Sequence, residues 1–162
     1  MSPPDIVIRE STAADQEAIA EMAAEAVDDG RVYVFEDVAD FVDYWQQAAA
    51  LSFVAARGDD VLGTYVLKPN QKGRGAHVAN AGYLVHSAAR GLGVGTLMGR
   101  HSIDKAREMG YAAMQFNMVV ATNANAIHVW EKLGFNEVGR LPGVFRHRTD
   151  GMVDALVMHR FL

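Results

Sequence analysis

A glycine-rich segment near the middle of the chain carries the clearest chemical signal. A strand-like run ends at Val85, and the sequence RGLGVG at positions 90–95 then leads into a helix-like segment. Glycines at alternate positions remove Cβ atoms from backbone whose N–H groups can face outward, beside the positive N-terminus of a helix. Such a surface favours phosphate, so the segment predicts a pyrophosphate-binding loop.

Two common phosphate loops do not fit this spacing. A P-loop requires a lysine followed by serine or threonine after its last glycine, whereas Thr96 and Leu97 follow Gly95. A dinucleotide-binding loop requires a further glycine and an acidic residue on the next strand for the ribose. The next strand-like run, 112–120, contains no acidic residue. The pattern that remains is Arg-x-x-Gly-x-Gly at Arg90, Gly93 and Gly95.

A second motif, NANAIHVWEKLGF, begins at Asn123, 28 residues after Gly95. Together the two motifs resemble the GCN5-related N-acetyltransferases (GNAT family), in which Arg-x-x-Gly-x-Gly binds acetyl-CoA and Asn-x-x-Ala precedes an aromatic residue and Leu-Gly-Phe. The matching positions of the second motif are Asn123, Ala126, Trp130, Leu133, Gly134 and Phe135. The resemblance covers about Asp5 to Leu162 and is strongest from Asn80 to Phe135.

The pattern of apolar residues and turn signals supplies the elements that position these motifs. It predicts helices over 12–30, 38–49, 93–109 and 123–133, and strands over 6–8, 51–57, 61–67, 77–85, 112–119, 135–140 and 152–160. No linker or repeat appears, so we expect a single mixed α/β domain over residues 1–162. The resemblance implies a mostly antiparallel sheet of about seven strands and about four helices, with strands 4 and 5 splayed apart.

The resemblance also implies how acetyl-CoA, the expected co-substrate, is held. Backbone amides of the loop would bind the pyrophosphate, and peptide groups of Leu84 and Val85 would pair with the pantetheine arm as an added strand does. The N–H of Val85 would also donate to the thioester carbonyl. The implied contacts are Leu84, Val85, Arg90, Gly91, Gly93, Val94, Gly95, Thr96, Asn123 and Trp130.

The implied catalytic residues are Val85, Asn123 and Trp130, and the last departs from the family pattern. Many members place a tyrosine there as a proton donor to the leaving sulfur, and an indole N–H donates a hydrogen bond but not a proton. A thiol with a pKa of about 8.5 leaves readily as thiolate, so turnover remains feasible. Asn123 either contacts the sulfur or caps a helix, and Trp130 is either a catalytic contact or a core and pocket-wall residue.

The attacking amine must lose a proton, and few side chains are available as its base. The candidates are His77 and His86 at the ends of the fourth strand, and Glu36 and Asp37 in the connection between the first helices. A water relayed by backbone carbonyls is the alternative.

Asparagines on two neighbouring strands point to the acceptor. Asn80 and Asn117 lie in strand interiors, where asparagine is disfavoured. They either satisfy each other or mark a bulge, or they form a polar floor for a small zwitterion. With KPN at 68–70 and GVGTLMG at 93–99, they resemble the fungal proline-analogue (azetidine carboxylate) N-acetyltransferases, which implies that both lie at the acceptor. Tyr33 and Phe35 would line the same site.

Composition narrows the function classes further. Since there is no cysteine, disulfides, thiolate metal sites and a cysteine nucleophile are excluded, and we expect no metal. A net charge of −5 argues against nucleic-acid binding, and the basic segment from Arg140 to Arg148 is interpreted as a solvated loop, with a phosphate site as the alternative. No membrane span or leader is evident, so we expect a cytoplasmic protein.

The sequence therefore predicts an acetyl-CoA-dependent N-acetyltransferase acting on a small-molecule amine, including an amino or cyclic imino acid, by direct attack on the thioester. Two alternatives stay open: a protein or peptide N-acetyltransferase, and a non-catalytic sensor that binds acyl-CoA. The resemblance also implies a homodimer.

Overall fold

A computed structural model describes residues 5–162, and these residues form one seven-stranded sheet with helices on both faces. Residues 1–4 of the expected domain lie outside the described residues. The strands are β1 (Val7–Glu10), β2 (Leu51–Arg57), β3 (Asp60–Pro69), β4 (Val78–Val85), β5 (Ala113–Val120), β6 (Asn136–His147) and β7 (Gly151–Phe161). The helices are α1 (Gln16–Asp29), α2 (Val38–Trp45), α3 (Val94–Glu108) and α4 (Ala124–Lys132).

The sheet has the order β1-β2-β3-β4-β5-β7-β6, and every pair is antiparallel except β4 with β5. That parallel pair is short, because only two residues of β4 have partners in β5: Val78 pairs with Ala113, and Ala79 pairs with Met114. Beyond Ala79 the two strands separate, which leaves one edge of β4 open as far as Val85. The predicted mixed fold with splayed fourth and fifth strands is confirmed.

Each face of the sheet has its own hydrophobic core, because successive side chains of a strand point to opposite faces. In β3, Tyr65 belongs to the core beneath α3 and α4, while its neighbour Val66 belongs to the core beneath α1 and α2. Both side chains are fully buried. The two layers of helices thereby fix β4 in the middle of the molecule.

Most predicted boundaries agree within a few residues, and two differ for identifiable reasons. The second helix ends at Trp45 rather than Ala49, because the chain turns there to enter β2. The segment from Arg140 to Arg148, interpreted as a loop, is mostly strand: β6 continues to His147. A bulge between Leu141 and Phe145 accommodates the intervening Pro142 and Gly143 within the strand pair. No helix among residues 5–162 is long and apolar enough to cross a membrane.

Candidate active site

The open edge of β4 presents the peptide groups of alternate residues. The hydrogen bonds from His86 N–H to Leu62 O and from Asn70 N–H to Val78 O, both 2.8 Å, show that even-numbered residues of β4 pair with β3. The peptide groups of Leu84 are therefore used within the sheet. Those of Tyr83 and Val85 face the gap between β4 and β5. The prediction of a backbone contact from Leu84 is wrong for this reason, and Tyr83 was missed.

Tyr33 reaches the same edge from the connection between α1 and α2. Its hydroxyl donates to Tyr83 O and accepts a hydrogen bond from Tyr83 N–H at 2.8 Å. Burial raises the pKa of Tyr33 well above its ordinary value, so the hydroxyl keeps its proton. Phe35, predicted beside it, stacks on Phe41 with ring centroids 4.5 Å apart. The α1–α2 connection is thus anchored over the gap.

The glycine-rich loop follows β4 and ends in a helix N-terminus. Gly91 and Gly93 have φ angles of 81° and 77°, a region that L side chains rarely adopt, and a Cβ on either would meet no atom within 4 Å. Gly93 is the N-cap of α3, and the first helical hydrogen bond runs from Leu97 N–H to Gly93 O. The N–H groups of residues 94–96 are therefore free for an anion.

Glu25 of α1 braces the turn between β4 and this loop. Its carboxylate accepts hydrogen bonds from Ser87 N–H at 3.0 Å and from Ser87 Oγ at 2.8 Å. Burial by itself raises the pKa of Glu25, but the Ser87 hydrogen bonds and the nearby charges of His86 and Arg90 outweigh it and lower the pKa. No local pattern in the sequence marks Glu25, because its partner Ser87 lies 62 residues further along the chain.

A cavity of about 940 Å³ extends from the β4–β5 gap to the α1–α2 connection and the β6–β7 hairpin. It brings together most of the predicted site residues: Tyr33, Phe35, Asn80, Leu84, Val85, Arg90, Gly95, Asn117, Asn123 and Trp130. The predicted loop residues Gly91, Gly93, Val94 and Thr96 lie next to it and are not part of its wall.

The four candidate bases are not among the residues that line this cavity. His86 accepts a hydrogen bond from Ala88 N–H at 3.1 Å, and Asp37 caps α2 by accepting one from Asp40 N–H, also at 3.1 Å. Glu36 is exposed, and His77 lies at the opposite end of β4 from the loop. The structure gives none of them a place beside the gap.

The two asparagines are held differently. Asn80 is buried, and its Nδ2 donates to Gln115 O at 2.9 Å. Asn117 is exposed, donates to Asn70 Oδ1 at 2.8 Å, and accepts from Gln115 Nε2 at 2.9 Å. The two asparagines do not bond each other. Asn117 lies where the pairing of β5 with β7 shifts register, between Phe116 and Val119, and this irregularity is the bulge given as one alternative.

Asn123 caps a helix and Trp130 packs in the cavity wall, which is the structural alternative in each case. Asn123 Oδ1 accepts a hydrogen bond from Ala126 N–H at 3.3 Å and caps α4. Trp130 is 9% exposed and packs between Tyr83 and Phe116, with ring centroids 4.7 Å from each. The indole forms part of the cavity wall.

Comparison with known proteins identifies the fold and the family. The model of the Acetyltransferase (GNAT) family matches residues 17–135. The chain belongs to the GNAT family. A structure described as a GCN5-related N-acetyltransferase from Kribbella flavida is 38% identical, with a TM-score of 0.93 and coverage of 99% of this chain and 100% of that one. The GNAT resemblance found in the sequence is thereby confirmed.

Curated relatives of this GNAT chain are matched over part of their length. N-acetyltransferase aca1 of Schizosaccharomyces pombe is 35% identical over 98 residues, which is 60% of this chain and 47% of the relative. Protein SPT10 of Saccharomyces cerevisiae is 33% identical over 81 residues, 50% of this chain and 13% of that protein. The chain therefore spans about half, or less, of the curated relatives it matches.

One structure with the same fold was solved with acetyl-CoA. It is described as yncA from Salmonella typhimurium with its cofactor, and has a TM-score of 0.85 at 23% identity, covering 98% of this chain and 94% of that one. The comparisons as a group support the predicted enzyme class, an acyltransferase, and the predicted co-substrate, acetyl-CoA.

Proposed function

We propose that this chain transfers the acetyl group of acetyl-CoA to the amine of a small molecule by direct attack of the amine on the thioester. One observation carries the proposal: the open edge of β4 connects an amide-lined helix N-terminus to a cavity whose largely apolar wall includes the polar side chain of Asn80. A thioester placed along that edge would have its carrier at one end and the acceptor at the other.

The residues at the edge fit acetyl-CoA, which when bound supplies an activated acyl group. The free N–H groups of residues 94–96 match a pyrophosphate, and the missing Cβ atoms of Gly91 and Gly93 let it approach closely. The N–H of Val85 faces the gap, where it can donate to the thioester carbonyl. Trp130 excludes water from one side of the gap, and Asn123 anchors the helix that carries it.

The walls of the cavity favour a small acceptor over a peptide. Aromatic side chains of the α1–α2 connection cover one end: Tyr33 is bonded to β4, and Phe35 packs on both Phe41 and Tyr44. An extended peptide requires a long open groove, and these side chains occupy one end of the cavity. Asn80, buried in the wall, supplies an amide oxygen suited to the N–H of an amino or cyclic imino acid.

The proposal is tested by release of free CoA thiol from acetyl-CoA in the presence of amines, amino acids, cyclic imino acids and short peptides. We expect acceptor-dependent thiol release with small acceptors and little with peptides. A preference for peptides would establish the protein N-acetyltransferase instead. Binding of acetyl-CoA by calorimetry without thiol release for any acceptor would establish the sensor.

A homodimer is also proposed, with support from the outer strands. β6 is an edge strand, and Val138, Val144 and Met152 are exposed on β6 and β7, at 61%, 43% and 66%. Light scattering would give twice the monomer mass if this proposal is right. A cytoplasmic location stays a prediction from the sequence.

A further inference from the structure

We propose that His147 selects the acceptor, because its Nε2–H is placed to donate a hydrogen bond to a carboxylate oxygen. The preferred acceptor is then an amino or imino acid rather than a simple amine. This inference rests on the proposed function, since it takes the cavity to be the place where the acceptor binds. No motif in the sequence marks His147.

The β6–β7 turn fixes the tautomer of His147. Its Nδ1 accepts hydrogen bonds from Thr149 N–H at 3.2 Å and from Asp150 N–H at 3.1 Å. Backbone N–H groups only donate, so Nδ1 carries a lone pair and the proton of the neutral ring is on Nε2. The imidazole is therefore a hydrogen-bond donor on the side that faces away from the turn.

That donor has no protein partner. No hydrogen bond joins His147 Nε2 to any residue among 5–162, although the residue is only 8% exposed. In this part of the chain Ser52 Oγ is the only fully enclosed side-chain polar atom without a hydrogen bond, so Nε2 must remain accessible. His147 lines the main cavity, and we take the accessible Nε2 to face that space. An accessible donor that no protein group engages is available to a ligand that accepts from it.

Asn80 supplies a hydrogen-bond acceptor in the same cavity. It is also 8% exposed, and its Nδ2 is held by Gln115 O, so Oδ1 is the atom left for a ligand. One buried acceptor and one buried donor are complementary to a molecule with an N–H group and a carboxylate. Simple amines provide only the first of these groups.

The nearby charges leave the Nε2 side open to an anion. The closest carboxylate, Asp150 Oδ2, lies 3.7 Å from Nδ1, on the opposite side of the ring. Asp29, another cavity residue, is paired with Arg31 at 2.6 Å. An acceptor carboxylate at Nε2 would make a hydrogen bond strengthened by its charge.

Two substitutions of His147 distinguish the hydrogen bonds that Nδ1 accepts from the turn from the hydrogen bond that Nε2–H can donate to a ligand. In His147→Asn, the amide oxygen can replace Nδ1 as the acceptor for the turn N–H groups, and the Nε2 donor is lost. In His147→Gln, an amide N–H can replace Nε2, and the turn acceptor is lost. The acceptors are the best amino or imino acid from the thiol-release panel and the same amine without its carboxyl group, such as proline and pyrrolidine.

We expect His147→Asn to raise KM for the acid about 10- to 100-fold, with little change in kcat or in KM for the amine. His147→Gln is expected to keep most of the wild-type preference for the acid. Thermal unfolding checks the turn, and we expect the Asn variant to be the more stable of the two. Equal effects of His147→Asn on the acid and the amine would overturn the proposal.

Thiol release by the wild-type enzyme alone distinguishes failure of this proposal from failure of the proposed function. Thiol release with simple amines and none with amino or imino acids would leave the proposed function standing and overturn the role of His147. Thiol release with the acid, a preference over the amine, and loss of that preference in His147→Asn would support both.

Discussion

The hydroxyl of Tyr33 bridges the N–H and C=O groups of Tyr83, on the open edge of β4. A side chain from the α1–α2 connection thus satisfies a peptide group that β5 would satisfy in a continuous sheet. The contact joins the cover of the proposed acceptor cavity to the strand on which the thioester is proposed to lie. Cofactor binding and the position of the cover are therefore expected to be linked.

Removal of that hydroxyl should destabilise the free protein. We expect Tyr33→Phe to lower the free energy of unfolding by about 1–3 kcal/mol, because the partly buried N–H and C=O groups of Tyr83 both lose their hydrogen bonds to the hydroxyl. Urea denaturation measures the change. We expect saturating acetyl-CoA to reduce the difference, since the bound arm can take over the edge of β4. Tyr44→Phe is the matched control, because its hydroxyl has no hydrogen bond to another residue in the range 5–162. Equal losses in the two variants would contradict this role of Tyr33.

The glycine loop is tested by a pair of alanine substitutions with similar backbone strain. Gly93 and Gly58 both have positive φ, 77° and 59°, and a Cβ on either meets no atom within 4 Å. Alanine at each is expected to cost about 1 kcal/mol of stability. Only Gly93→Ala places a methyl group where the pyrophosphate is expected, so calorimetry should show acetyl-CoA binding weakened about tenfold or more in that variant alone. Unchanged affinity in Gly93→Ala would show that the phosphates bind elsewhere.

The ion pair of Arg9 and Asp15 predicts a feature of acid unfolding. The hydrogen bond from Arg9 is the largest cause that lowers the pKa of Asp15, from 3.8 to about 2. Because the folded-state pKa is depressed, the stabilisation is complete above about pH 4 and is lost as pH falls toward 2. This shift corresponds to about 2 kcal/mol.

Asp15→Asn should therefore unfold more easily at neutral pH and lose less stability between about pH 4 and 2 than the wild type. Urea midpoints across this range measure both effects. Glu17→Gln removes an exposed carboxylate from the first turn of α1 and controls for the change in net charge. If Asp15→Asn lost as much stability as the wild type when the pH falls from about 4 to 2, this ion pair would not be the source of that loss.

Trp130 is expected to matter for packing more than for catalysis. Trp130→Phe should cost about 1–3 kcal/mol of unfolding free energy, because the ring fills the space between Tyr83 and Phe116. We expect kcat to change less than about threefold, since an indole does not transfer a proton. A loss of kcat of about a hundredfold in a folded variant would instead make the indole N–H a catalytic contact.

The pH dependence of turnover reports on the amine. An alkylammonium with a pKa of about 10 is mostly protonated at neutral pH, so kcat/KM is expected to rise with pH until above about 8. Steady-state rates with a simple amine measure this. A second amine of lower pKa is the control, and its profile should rise at correspondingly lower pH. Flat profiles from about pH 6 to 9 for both amines would show that deprotonation does not control the rate.

The sequence by itself determined the features that depend on neighbours along the chain. The absence of a side chain permits the positive φ at Gly91 and Gly93, and the cap of α4 by Asn123 spans three residues. Apolar periodicity placed the four helices and most strands, because a buried face imposes its period on the local sequence. These local signals were sufficient to identify the family, and they are the basis on which the pyrophosphate loop is proposed.

Only the tertiary structure decided which groups meet across the site. Whether Leu84 or Tyr83 faces the gap is set by the register of β4 against β3, and a shift of one residue exchanges them. Tyr33 lies 50 residues from the strand that it caps, and Glu25 lies 62 from the turn that it braces. The donor of His147 depends on a tautomer that the β6–β7 turn selects. Contacts of this kind depend on how distant elements pack together, and the order of residues along the chain does not encode them in any local pattern.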